Sequence, residues 1–346
     1  MRKFIIKTLL IVLPFFVSFG CAVFFGAQNK GDLLRMGYLY DNTGDYGDRL
    51  IKNHRVDRKY SIVSNLDTTQ KTKFKIFTIG DSFSQQDEYG YQNFLAREGV
   101  SVLHYFKRGN PIENLYSTLN GDFFEKVSPE YVVLQCVQRQ ALFRGTHSSS
   151  NKVLSVEQMT AFEKQVIENN SSSTKIKLFT DAVIKFPFYN VFHTVSDNAF
   201  FSKVYKVGTD RSMFSLEGST DLLFTDEEII NLKHSEDLNS FDSLNNHLNT
   251  LSRLLEKKGI KLITLISPDK YDVHYNHILD KDSYPKPLFF NRFNKLSKNY
   301  QNIESKRLLQ DATENTQDVY FYDDTHWSPI ASKIIAEEIF KIVSEK

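Results

Sequence analysis

The chain has 346 residues, 41% of them apolar and 25% charged. That length fits one large domain with an appendage, and that balance excludes bulk disorder as well as collagen-like or coiled-coil architecture. Lys and Arg number 43 against 42 Asp and Glu, a formal charge of +1, so nucleic acid is not an expected partner.

In chain order, Arg2, Lys3 and Lys7 come first. They are followed by Thr8–Ala27, TLLIVLPFFVSFGCAVFFGA, without a single charge. About 20 helical residues span the roughly 30 Å hydrocarbon core of a bilayer, and basic residues keep the preceding end in the cytoplasm. Residues 1–27 therefore read as a cytoplasmic tip and an uncleaved signal anchor. A cleaved signal peptide and a lipoprotein modified at Cys21 are the alternatives. Each puts the rest of the chain on the periplasmic or extracellular side. Cys21 and Cys136 are the two cysteines, too few for a disulfide framework. The polar residues 28–72 read as a stalk and lead-in.

From residue 73 the pattern is that of an α/β domain. KFKIFTIG (73–80) and SVLHYF (101–106) read as strands, and YVVLQCV (131–137) and IKLITLI (260–266) as strands buried on both faces. DVYFY (318–322) is a fifth candidate. Helices are expected at Ser155–Asn169, at Ser243–Lys257 with Leu244, Leu248, Leu251, Leu254 and Leu255 on one face, and at Ser328–Val343. The last opens with Ser328-Pro329, suited to N-cap and N1, and places Ile330, Ile334, Ile335, Ile339 and Ile342 on a stripe. Strands alternating with helices predict a three-layer domain with a parallel sheet. The stretch from about 142 to 237 breaks the rhythm with Ser148–Ser150, Asn169–Ser173 and aromatic clusters. It reads as an insertion of the kind that shapes a substrate site.

Two strand ends carry chemistry. Gly80-Asp81-Ser82-Phe83 follows the first strand. A tight strand-to-helix turn exposes a Ser hydroxyl, and its backbone N–H lies where an oxyanion would develop; a plain β-turn is the alternative. Asp323-Asp324-Thr325-His326-Trp327 follows the last. His326 is a candidate base for a weakly nucleophilic Ser82, and a carboxylate two or three residues earlier would orient it. Both motifs sit at corresponding ends of parallel strands, where such folds place their sites. His274 and His277 share a helical face but lack a third ligand, so a packed role is expected and no metal or cofactor is invoked.

GDSF near the start and Asp-Thr-His-Trp near the end resemble the SGNH (GDSL) hydrolase superfamily. The closest likeness is to the SGNH-like domains of alginate O-acetyltransferases and related cell-envelope polysaccharide O-acetyltransferases. Ser267-Pro268-Asp269-Lys270, Val137-Gln138-Arg139, Phe214-Ser215 and Leu222-Leu223-Phe224 add to the likeness. In the alginate enzymes the Asp-His element precedes the Ser motif; here Ser comes first, the usual SGNH order. The resemblance implies Ser82 as nucleophile, His326 as base and Asp324 as triad acid, with Asp323 as alternate. It implies an oxyanion hole from the Ser82 and Gly109 N–H groups with Gln138 or Arg139 as a further donor, and Arg139, Lys270 and Trp327 as substrate contacts. Simple turn, ion-pair and loop roles stay open for Gly109, Arg139 and Lys270. The function implied is transfer of acetyl groups onto a polysaccharide acceptor through an acetyl-serine, with the donor supplied by a membrane-bound O-acyltransferase. An esterase with the same triad and a catalytically silent glycan-binding protein are the alternatives.

Overall fold

The computed structural model of the chain describes residues 1–26, 31–41, 43–67, 69–171, 181–234 and 237–345. Ala27, the Cys21 side chain and the side chains of Asn169–Ser173 lie outside the described residues.

The strands are β1 (Ser61–Ile62), β2 (Thr72–Ile79), β3 (Val102–Tyr105), β4 (Val127–Val137), β5 (Val204–Gly208), β6 (Asp221–Thr225), β7 (Lys261–Ser267) and β8 (Gln301–Asn302). Six form one parallel sheet in the order β1-β3-β2-β4-β7-β8, and β5 and β6 form an antiparallel hairpin. The winding reverses between β2 and β4. In open α/β sheets a ligand site forms at the carboxyl ends of the strands beside such a reversal, and Ser82 follows β2 there.

Alternation along β4 explains why it is central. Tyr131, Val133 and Val137 pack in the core on one face, and Val132, Leu134 and Cys136 in the core on the other. The first core is closed by the helices Tyr91–Arg97, Ser305–Thr313 and Pro329–Ser344, the second by Pro111–Asn120 and Leu238–Glu256. Leu238–Glu256 buries Phe241, Leu244, Leu248, Leu251 and Leu255, the expected leucine face without Leu254. Pro329–Ser344 is capped as its sequence predicts, with Ser328 Oγ accepting from the Ile330 N–H at 3.0 Å. Its buried face is Ala331, Ile335, Ala336, Ile339 and Val343; Ile330, Ile334 and Ile342 are half-buried at the rim.

Two expectations need correcting. Asp318–Tyr322 is not a strand of the sheet. Asp318 takes a φ of +61°, and Tyr320 makes a single antiparallel bridge with Trp327, so the segment folds back on itself. The sheet edge belongs to β8 instead. Residues 31–67 are no stalk. They form the helices Asp32–Gly37 and Tyr46–His54 and the strand β1, and Leu33, Leu34, Leu39, Tyr46 and Leu50 are buried in the first core. The stretch 142–237 carries the expected helix, as Val156–Ser171, together with the β5–β6 hairpin and the helix Asp226–His234.

The helix Arg2–Gly26 packs beside the helix Asp181–Phe192. Its Arg2–Gly20 portion is long and apolar enough to cross a membrane, with a mean hydropathy of 1.8 and none of it buried.

The packing of the lead-in gives a direct prediction. Leu34→Ala empties a fully buried site and should cost about 2–5 kcal/mol in a denaturant or thermal melt of the detergent-solubilised chain. A free stalk would leave the melt unchanged.

Candidate active site

The turn after β2 is held by polar groups buried in the sheet. Asp81 accepts from the Phe83 N–H and Gln135 Nε2 on one oxygen, and from the Val137 N–H and Arg144 Nη1 on the other. Gln135 Oε1 accepts from the Asp81 N–H and Ser84 Oγ, both at 2.9 Å, while its Nε2 also donates to Ser267 Oγ at 2.9 Å. The turn thus hangs from β4 and β7, and every lone pair of a buried carboxylate is used. Gly80 is needed here, because a Cβ would run into Ser84 and Gln135. The result is an exposed Ser82 flanked by buried neighbours.

The loop 323–327 reaches the same spot. His326 Nε2 lies 2.8 Å from Ser82 Oγ, and its Nδ1 lies 2.6 Å from Asp324 Oδ1. Burial alone would raise the Asp324 carboxyl, but the His326 hydrogen bond and charge outweigh it and hold the group down at about 2. An ionised Asp324 only accepts, which puts the imidazole proton on Nδ1 and leaves Nε2 to accept from the Ser82 hydroxyl. Burial pulls His326 down, yet the Asp324 hydrogen bond and charge, with the charge of Asp32, lift it above its ordinary value. Asp324, and not Asp323, meets the ring. Asp323 uses its carbonyl to accept from the Leu33 N–H at 3.0 Å.

Several groups brace this loop. Gln86, four residues past Ser82, donates to the Trp327 carbonyl at 2.7 Å and accepts from the Trp327 indole at 2.8 Å and from Ser332 Oγ at 2.7 Å. Phe83 packs against both His326 and Trp327, with centroids 4.7 and 5.2 Å away. Lys270 Nζ donates to the carbonyls of Tyr322 at 2.7 Å and Asp324 at 3.3 Å from below, and burial lowers it to about 8. Asp32 caps the loop from above, accepting from the Thr325 N–H at 2.8 Å and the Thr325 hydroxyl at 2.7 Å.

The geometry thus brings together Ser82, His326 and Asp324 and sets other expected residues apart. Trp327 is fully buried with its N–H and carbonyl engaged, so it welds two loops and does not face a sugar. Lys270 is likewise fully buried beneath the site. Arg139 donates to Asp269 at 2.6 Å and stacks over Phe83 at 5.8 Å. Gln138 is engaged at both ends, with Asp272 and with the Asp269 N–H. Neither is placed as a spare oxyanion donor. Gly109 stands in the loop after β3 with a φ of +109°, a conformation that favours glycine. That loop touches the nucleophile turn where Gln85 Nε2 donates to the Lys107 carbonyl at 3.4 Å. His274 is fully buried and pushed down to about 3 by burial, and His277 is engaged by Asp210 and Arg211.

Asp32, Asp324 and His326 each offer an atom within 4.8 Å of the others. Both ring nitrogens of His326 are already engaged, which suits an oriented base better than a metal ligand. A cleft of about 310 Å³ opens over Ser82 and His326, walled by Gln85, Tyr89 and the lead-in residues Thr43, Gly44 and Asp48. A second cleft of about 610 Å³ shares Thr43 and Gly44 and runs on past Arg49 and Lys206.

Asp32, Gln86 and Gln135 escaped the sequence reading. Gln135 had a signal, a lone amide inside an apolar strand. Asp32 had none, since only the fold brings it to Thr325. Its role is open to test. A base works only with its imidazole neutral; with His326 in that role, activity toward an activated acetyl ester should rise with pH through the raised His326 value. Asp32→Asn removes a negative charge that favours the imidazolium. The acid limb of kcat/KM should therefore move to lower pH; an unmoved limb would show that Asp32 does not act on His326.

No curated protein and no solved structure matches the chain. A family model does: residues 216–346 match the SGNH hydrolase-like domain of the acetyltransferase AlgX, a stretch that contains Lys270, Asp323, Asp324, His326 and Trp327 and begins after Ser82.

Proposed function

We propose that the chain is an extracytoplasmic O-acetyltransferase that moves acetyl groups onto a cell-envelope or secreted polysaccharide. Ser82 Oγ attacks the acetyl carbonyl as His326 Nε2 takes its proton, and Asp324 stabilises the resulting imidazolium. The Ser82 and Gly109 N–H groups receive the oxyanion. Collapse expels the donor's leaving group, protonated by His326, and leaves an acetyl-serine. A sugar hydroxyl, deprotonated by the same imidazole, then attacks that ester, and Ser82 recovers its proton.

The observation that carries this reading is the unbroken line from Asp324 through His326 to Ser82, with contacts of 2.6 and 2.8 Å. The match to an acetyltransferase domain supports acetyl as the group transferred. Two adjoining clefts that share Thr43 and Gly44 suit an acceptor longer than one sugar unit. The Arg2–Gly20 helix supports placement at a membrane with the domain outside the cytoplasm. A membrane-bound O-acyltransferase would be the source of acetyl groups. A second reading, carbohydrate acetylesterase, is favoured by the exposure of Ser82, since water can reach the acyl-enzyme.

Incubating the full chain with 4-nitrophenyl acetate and a panel of oligosaccharides separates them. Acetylated sugar beyond the uncatalysed background is expected. Ser82→Ala and His326→Ala should each lower turnover by about a thousandfold or more. Acetate without acetylated sugar would favour the esterase, and full activity in Ser82→Ala would refute both.

A further inference from the structure

The helix Asp181–Phe192 and the turn after it expose apolar side chains in one continuous patch. Phe188 is 56% exposed, Val191 64%, Val195 73%, Phe200 55% and Phe201 77%. The rings form a chain: Phe188 to Phe192 at 6.4 Å, Phe192 to Phe200 at 5.7 Å, and Phe200 to Phe201 at 6.4 Å. The turn is built to present them. Ala199 and Phe200 both take positive φ values, +47° and +63°, which cost non-glycine residues energy. Tyr189 OH donates to the Phe201 carbonyl at 3.4 Å and closes the turn onto the helix.

What covers this patch follows from its neighbour. The helix Asp181–Phe192 lies along the N-terminal helix Arg2–Gly26, whose Arg2–Gly20 portion is apolar enough to cross a bilayer. The helix that carries Phe188 and Val191 is thus a neighbour of the anchor, and a bilayer that takes up the anchor lies close to the patch as well. Aromatic residues are favoured at the membrane–water interface, and an exposed apolar patch of this kind marks a contact surface. Lys203 stands exposed at its edge, where a cation can meet anionic headgroups.

We propose that residues 188–201 form a monotopic lipid-contact surface that enters the outer leaflet beside the N-terminal helix. It rests on reading that helix as a membrane anchor. The surface is tied to the catalytic region. Asn190 donates to the Tyr38 carbonyl and accepts from the Tyr40 N–H, both at 2.8 Å. Lys185 stacks over the Tyr38 ring at 5.2 Å. Tyr38 directly follows the helix that carries Asp32. Lipid contact at the phenylalanines therefore fixes the height of the Ser82 cleft above the bilayer through the lead-in.

The test uses the full chain reconstituted into phosphatidylcholine–phosphatidylglycerol vesicles, with and without lipids brominated on their acyl chains. Phe201→Trp places a reporter in the patch. Val153→Trp places one at an equally open position, 64% exposed, beside Leu154 in the core on the other face of the sheet. The native Trp327 is fully buried and gives a constant background. Brominated lipid should quench the added emission of Phe201→Trp severalfold more than that of Val153→Trp. Equal, weak quenching of both in protein that resists alkaline carbonate extraction would overturn the lipid surface and point to a protein partner or a second copy. Release of the chain by carbonate would instead remove the anchor reading, and this surface with it.

Discussion

A buried carboxylate must find all its hydrogen bonds inside the protein, and Asp81 is such a group. Four donors from β4, the helix after it and its own turn meet its two oxygens. That requirement fixes the path of the chain between Gly80 and Ser84 and, with it, the direction of the Ser82 side chain. The turn is pinned at the point where the sheet reverses its winding, so Ser82 stands over strand ends. Gln135 is the other half of the constraint, since its amide links the turn to Ser84 and Ser267 at once.

The histidine loop is fixed by different means. It belongs to no strand, and its position is set by contacts on three sides: Gln86 and Phe83 from the nucleophile turn, Lys270 from below, and Asp32 with Leu33 from the lead-in. The lead-in begins just after the N-terminal apolar helix, so the part of the chain nearest that helix also shapes the wall of the candidate site. Thr43, Gly44 and Asp48 from the same segment line the cleft. The N-terminal apolar helix and the candidate site are thus joined by one short stretch of chain.

Much of this was legible beforehand. β4 and β7 announced themselves as apolar runs too short for helices and too continuous for half-exposed strands. The pair Ser82 and His326 was legible because each sits in a short motif that directly follows an apolar run, although only the first of those runs is a strand of the sheet. β1 and β8 were not, because two residues carry no period. Asp318–Tyr322 misled because all five residues are buried in a fold-back, and burial on every side looks like a central strand. Residues 31–67 misled through composition: their polar majority hid Leu33, Leu34, Leu39, Tyr46 and Leu50, which seal the first core. Trp327 and Lys270 were expected to contact substrate, but sequence proximity does not tell which way a side chain faces. Both point into the protein.

The central claim is that His326 and Asp324 make the Ser82 hydroxyl a nucleophile. A serine-directed organophosphate, followed by peptide mass mapping of the full chain, tests it most directly. The account predicts a single phosphoryl adduct on the peptide that carries Ser82, and its near-complete loss in His326→Ala with the protein still folded. An adduct on another residue, or equal labelling with and without the imidazole, would contradict it.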